Sequence, residues 1–152
     1  MGVEILEAHD AAAREEIFRF RYDIYVREMA RPQKDADHAR GRIEDRLDAF
    51  AVVLAARETG TGLVCGTVRA NVLGDGDIGE YGRLYRLDGV SPGERRKTSI
   101  TTRLMVERSK RGTVLAARLA GALYAHGLER GVTADFCDCN AHLEPYFTHL
   151  GY

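Results

Sequence analysis

The residues with the clearest chemical potential lie in one run, Arg103–Ala116, which reads RLMVERSKRGTVLA. An apolar stretch gives way to Arg108, Lys110 and Arg111, and Gly112 then leads through Thr113 and Val114 to Leu115 and Ala116. Strand, basic tight turn and helix start is an arrangement suited to phosphate. The first amide hydrogens of a helix have no intrahelical acceptor and favour an anion, and Gly112 lets a ligand approach the main chain. An ordinary solvated Arg-Gly turn is the competing reading of this segment alone. A second set comprises Arg21, Arg69 and Arg103, each inside an otherwise apolar segment. An arginine there is costly unless its charge is paired. Asp45 and Asp48 are the expected partners, in a buried polar network that either shapes a site or only ties a helix to a sheet. Three cysteines, Cys65, Cys137 and Cys139, are too few and oddly numbered for a disulfide framework. Cys137 and Cys139 would face one way on a strand near His142, but a four-ligand zinc set is missing and no metal site is expected.

The elements that must position these groups follow from pattern. Val3–Leu6 reads as a first strand. Asp10 is a helix N-cap ahead of AAAREEIFRFRYDIYVREM. In that helix Ile17, Phe20 and Ile24 form one apolar row and Phe18, Tyr22, Tyr25 and Met29 a second, leaving Arg14, Arg19 and Arg27 to solvent. Arg31–Arg42 is polar, contains Pro and Gly, and reads as a mobile loop. Ala49–Ala56 and Leu63–Val72 are strands joined by the turn Glu58–Gly62, an antiparallel hairpin. Leu73–Lys97 is broken by glycines, with local packing expected over Tyr81–Leu87. Ser99–Val106 is a strand, Thr113–Glu129 a helix with a stripe of Leu115, Leu119, Ala122 and Leu123, Val132–Cys137 a strand, and Ala141–Leu150 a short helix. The last strand–helix–strand run predicts a right-handed parallel crossover after antiparallel strands. The fold class is α+β.

The basic turn resembles the pyrophosphate loop of the GNAT acyltransferase superfamily, Arg/Gln-x-x-Gly-x-Gly/Ala, matching at Arg111 and Ala116 with Val114 in place of the middle glycine. The tail from Asn140 to Tyr152 is similar to that family's Asn…Tyr…Leu-Gly-Phe ending; the tyrosine position falls on Phe147, with Tyr146 one place earlier. A narrower resemblance, to autoinducer (acyl-homoserine-lactone) synthases and N-acyl amino acid synthases, rests on Arg21 and Tyr25 in the first helix, Asp45-Arg46-Leu47-Asp48, Gly66-Thr67-Val68-Arg69, and Arg103 in Ile100-Thr101-Thr102-Arg103. The last of these keeps the family's Arg and lacks its Glu. With no Trp in the chain, where autoinducer synthases carry one after the first helix, the N-acyl amino acid synthases are the better match.

The resemblance implies a GNAT-like, mostly antiparallel twisted sheet with a βαβ acyl-donor unit and flanking helices. It implies a single domain over residues 1–152 that lacks two strands usual beyond this point. The open sheet edge is then an expected place of association with a second copy. The donor is an acyl thioester, on coenzyme A or on the phosphopantetheine of an acyl carrier protein, held by Met105, Val106, Arg111–Ala116, Asn140 and Tyr146. Arg21, Tyr25, Arg69 and Arg103 would form the acceptor pocket for a small-molecule amine. Amide formation also needs a carboxylate to take the ammonium proton, and Asp45, Asp48 and Glu80 are the candidates. The alternatives are an acetyl-CoA-dependent acetyltransferase and a non-catalytic module that binds a thioester or a partner.

Composition sets the outer bounds. In 152 residues, 22 Lys and Arg against 23 Asp and Glu leave a net charge of −1, which lends no support to nucleic-acid binding. No apolar run approaches the roughly 20 residues of a membrane span and the start lacks a leader pattern, so a cytoplasmic protein is expected. Arg95, Arg96, Lys97, Arg108, Lys110 and Arg111 form two basic clusters that would attract an acidic carrier protein.

Overall fold

In the computed structural model, which describes residues 2–152, five strands form one sheet in the order β1-β4-β5-β6-β7. Strand β1 (Val3–Glu7) runs antiparallel to β4 (Val52–Glu58) through the pairing Val3 with Glu58 to Glu7 with Leu54. Helix α1 (Ala11–Tyr22) is opened by Asp10, whose Oδ1 accepts from the Ala13 amide at 2.8 Å. The chain then continues as a wider π-helical stretch over Asp23–Glu28, with Met29 N donating to Ile24 O at 3.0 Å. The extra residue in that turn rotates everything after it. Ile24 stays buried, Tyr25 is half-buried and Met29 is exposed, so the second apolar row ends before Met29.

Two further expectations change in this region. Arg14 does not lie free in solvent: its guanidinium donates to the carbonyls of Ala8, Asp48 and Ala51. The polar segment after the helix contains a small antiparallel ladder, β2 (Ala36–Asp37) with β3 (Arg42–Ile43). It packs on α1 by burying Ile43 completely. A 3₁₀ turn, Arg46–Phe50, takes the residues read as the start of the next strand. Strand β4 then pairs with β5 (Val64–Val72) as the expected hairpin.

Beyond β5 come two short helices, α2 (Glu80–Leu84) and α3 (Pro92–Arg95). Tyr81 and Tyr85 pack there against buried Leu73, Ile78, Leu87 and Ile100. Strand β6 (Thr98–Val106), helix α4 (Leu115–Glu129) and β7 (Ala134–Cys137) complete the crossover, and β6 and β7 are parallel as expected. Helix α5 (Glu144–His149) ends the chain. No helix among the described residues is long and apolar enough to cross a membrane.

The sheet is covered on both faces. Helix α4 lays Leu115, Leu119 and Leu123 on Val52, Leu54, Cys65 and Val68. Gly66 permits that contact, since a Cβ there would stand 3.0 Å from Leu119 and 3.2 Å from the Met105 carbonyl. On the opposite face Ile17 packs on Ala51, Val53 and Ala55, and β5 turns a polar row inward: Thr67, Arg69 and Asn71 are all fully buried. Thr67 and Asn71 donate to the carbonyls of Leu54 and Leu47, leaving Asn71 Oδ1 without a partner; Arg69 belongs to the site. Truncating the centre of the α4 layer, Leu119→Ala, should cost about 2–5 kcal/mol, read as a lower urea midpoint at unchanged slope.

Candidate functional site

The site is built where two parallel strands part. Strand β7 pairs with β6 only from Thr98 to Thr101, and the Asp138 amide makes the last bond, to Thr101 O at 3.0 Å. Strand β6 runs on to Val106. On its other edge the register slips: Arg69 faces Thr102 and Thr67 faces Met105, so Arg103 and Leu104 together stand opposite Val68. Arg103 takes φ +59°, in the left-handed region. Such a bulge bends a strand and re-aims its side chains. A cavity of about 940 Å³ lies at this point, with Tyr25, Asp45, Glu80, Arg103, Asp138, Asn140 and Phe147 in its wall.

Beneath the cavity lies the charge network. The Asp45–Asp48 segment is a helix-start motif: Asp45 accepts from the Leu47 amide, and Asp48 reaches back to the Asp45 amide at 3.0 Å. Both oxygens of Asp48 accept from Arg21 Nη1 at 2.9 Å. Arg69 Nη1 bridges the two acids, 2.6 Å from Asp45 and 3.2 Å from Asp48, while its Nε donates to Thr102 at 3.0 Å. Arg103 donates to Asp45 Oδ2 at 2.9 Å and to Gln33 Oε1 at 3.1 Å, with its guanidinium over the Tyr25 ring. Burial would raise the pKa of Asp45, but the guanidiniums of Arg69 and Arg103 override it and hold the carboxyl at about 2. Asp48, against the same penalty, is lowered by Arg21 and Arg69. Burial pulls Arg21 down despite Asp48.

The expected donor corner is open. Residues 111–114 are exposed, and Gly112 takes φ +78° with free space where a Cβ would stand. Val114 has φ −73°, so the position that carries glycine in the family motif needs none here, and its side chain lies in solvent. Helix α4 begins two residues later than expected. Thr113 Oγ1 accepts from the Leu115 amide at 3.2 Å, leaving the next first-turn amides without side-chain caps. The arrangement fits a phosphate oxygen. Arg111, by contrast, folds back: Nε donates to Val106 O at 3.0 Å and its head pairs with Glu28 at 2.5 Å. Leu115, Met105 and Val106 turn their side chains into the core, so only their main chain can face a donor.

The sequence-predicted residues therefore separate into three groups. Tyr25, Asp45, Glu80, Arg103 and Asn140 line the cavity; Arg21, Asp48 and Arg69 lie sealed below it; Met105, Val106 and Arg111–Ala116 make up the strand–turn–helix corner expected to hold the donor. Asp48, 1% exposed, has no path to a substrate proton, because its oxygens are spent on Arg21, Arg69 and a backbone amide. Tyr146 is outside the cavity wall, which takes buried Phe147 instead. Half of the two basic clusters is engaged as well, while Arg96, Lys97 and Arg108 stay exposed. Lys110 pairs with Glu58 at 2.5 Å, and Arg95 donates to the carbonyls of Leu73 and Leu87. Sequence reasoning passed over Arg31, Gln33, Tyr81 and Asp138, all in the cavity wall. Only Asp138 carried a signal, an acid at the carboxyl end of a parallel strand, where such sheets bind ligands. Among the described residues no group of three or more His, Cys, Asp or Glu side chains could hold a metal ion.

No protein-family model matches the sequence, and no curated protein matches it. Solved structures do. The CoA-dependent acyl-homoserine lactone synthase BjaI, with SAM and isopentyl-CoA, superposes at TM-score 0.75 with 20% identity, over 97% of this chain and 70% of that one. A GNAT-family acetyltransferase from Staphylococcus aureus Mu50 gives 0.65 with 15% identity, over 97% and 82%. Glucosamine-6-phosphate N-acetyltransferase from Arabidopsis thaliana gives 0.63 with 12% identity, over 100% and 92%. The chain has the GNAT fold.

The carboxylate pair makes stability acid-sensitive. Asp45 has a folded-state pKa of about 2 against 3.8 for the free side chain. Its contribution is complete above about pH 5 and drains away as pH falls toward 2. The urea midpoint should drop through that window. Asp45→Asn should lower the midpoint at pH 7 and flatten the acid limb.

Proposed function

We propose that this chain is an N-acyltransferase, moving an acyl group from a thioester donor to the amine of an amino acid or similar small molecule. The observation that supports it most is the parting of β6 and β7 at a polar cavity, with the Arg103–Leu104 bulge in its wall. A thioester laid between the strands would put its carbonyl oxygen beside main-chain N–H groups of β6, which stabilise the oxyanion of a tetrahedral intermediate. Its diphosphate would rest on the Gly112–Ala116 corner, supported by the main chain of Met105 and Val106, with Asn140 nearer the acyl end.

On the acceptor side Arg103 and Tyr25 define the pocket wall. The buried Arg21, Arg69, Asp45 and Asp48 act as positioning residues, fixing Arg103. A carboxyl held at about 2 and already bonded to two guanidiniums is a poor proton acceptor, which moves Asp45 from catalysis to positioning. Glu80, the remaining candidate, stands at the mouth, 3.3 Å from Lys34. Phe147 offers no proton to the departing thiolate, which then takes one from the amine. Arg95, Lys110 and Arg111 are already engaged, whereas Arg96, Lys97 and Arg108 are exposed, so the donor thioester is carried on coenzyme A or on an acidic carrier protein that this remaining basic surface would attract.

The experiment is a thiol-release assay with acetyl-, octanoyl- and palmitoyl-CoA against the twenty amino acids and S-adenosylmethionine, with products identified by mass spectrometry. N-acyl amino acids are the expected products. An acyl-homoserine lactone would move the chain to that synthase activity, acetyl transfer alone would make it an ordinary acetyltransferase, and donor binding without thiol release would leave a binding module.

A further inference from the structure

We propose that Asp138 is the catalytic residue that takes the proton from the acceptor's ammonium group. This rests on the acyltransferase reading and names a residue for a step that reading requires. Asp138 is the first residue past β7, and its own amide closes the last bond before the strands part. Its carboxylate is thereby fixed beside the opening into which the thioester carbonyl would be laid, in the cavity wall and open to solvent.

Its charge is uncompensated. Asp45 is bonded to two guanidiniums, and Glu80 pairs with Lys34. Asp138 has no cation within ion-pair distance among the described residues. Asp35, the other unpaired acid of the cavity, sits on the loop before β2 with nothing bonded to its carboxylate. Asp138 is instead aimed by two phenols. Tyr85 donates to Oδ1 at 2.5 Å, and Tyr81 approaches Oδ2 at 3.5 Å. The two rings stack at 6.2 Å between centroids, on the apolar cluster of Leu73, Ile78, Leu87 and Ile100. Burial and the nearby Asp138 charge push Tyr81 up to about 12; Tyr85 is raised by burial and by its bond to the same acid. Both therefore stay protonated and donate. Each carboxylate oxygen keeps a free lone pair, so orientation leaves room for a proton.

The step balances. The ammonium gives one proton to Asp138, directly or through one water. The freed lone pair attacks the thioester carbonyl carbon, forming C–N. The nitrogen's second proton passes to sulfur as the C–S bond breaks, giving amide and thiol, and Asp138 returns its proton to water.

The test compares two nucleophiles. An amino acid amine is protonated at neutral pH and needs a base; hydroxylamine is largely neutral and does not. With octanoyl-CoA and the twenty amino acids, Asp138→Asn should lose about 100-fold or more in kcat. With hydroxylamine, after subtraction of the uncatalysed rate, the loss should be far smaller. KM and Kd for octanoyl-CoA should hold, and Tyr85→Phe, which keeps the carboxylate but frees it to turn, should show a lesser loss of kcat. Wild-type turnover with an equally active Asp138→Asn would overturn the assignment and leave the acyltransferase reading standing. Equal losses with both nucleophiles would make Asp138 structural. No turnover by the wild-type chain would overturn both.

Discussion

Three guanidiniums share two carboxylates inside this protein, and the placing of the other groups follows from that pairing. Arg21 comes from α1, Asp45 and Asp48 from the turn before β4, Arg69 from β5 and Arg103 from β6. Four elements are pinned to one another by charge rather than by shape. Removing such charges from water costs several kcal/mol each, and mutual attraction repays it only when the geometry is good. Here the geometry is good at the carboxylates, and every oxygen is used. It is incomplete at the cations, where Nε and Nη2 of Arg21, Nη2 of Arg69 and Nε of Arg103 have no hydrogen-bond acceptor. Part of the deficit is met by aromatic faces, Phe18 beside Arg21 and Tyr25 beside Arg103. The cluster holds one more positive charge than negative, and its two least buried members, Arg103 and Asp45, are the ones that reach the cavity. The network thus gives specificity of arrangement more than net stability.

The sheet supplies the complementary constraint. A parallel pair that stays zipped has no room between its strands, whereas β6 outruns β7 by five residues and bulges as it leaves. Backbone that would otherwise be consumed by pairing becomes available to a ligand. The apolar layer under α4 keeps β4, β5 and β6 in register on one face, so the bend can be confined to Arg103–Leu104 on the other. Tyr81 and Tyr85, carried on the glycine-rich segment between β5 and β6, reach across to Asp138 and close the far wall.

Much of this was legible as pattern. Arg21 lies inside the apolar helix that carries the Ile17, Phe20 and Ile24 row, so its charge demanded an acid, and Asp-x-x-Asp before a strand supplied two. The Val64–Val72 alternation separated Thr67, Arg69 and Asn71 from Gly66 and Val68. The chemistry assigned to these residues was less legible. Asp45 and Asp48 are acids in the right place, yet their neighbours decide whether they take protons or hold cations. Local pattern also missed the π-helical turn that exposes Met29, because periodicity assumes a constant pitch. It missed the inward course of Arg14, two of whose three acceptors are carbonyls more than thirty residues away.

By itself the sequence determined the order of the five sheet strands and of the first, crossover and last helices, the hairpin, the parallel crossover and the pairing of buried arginines with Asp45 and Asp48, since each depends on spacing within a short window or on the cost of an unpaired charge. Only the tertiary structure decided where β6 and β7 separate, which carboxylates remain uncompensated at the opening, and that Arg111 spends its charge on Glu28. Those outcomes depend on which distant side chain arrives first at a given oxygen, a quantity that three-dimensional packing sets and residue order along the chain does not contain.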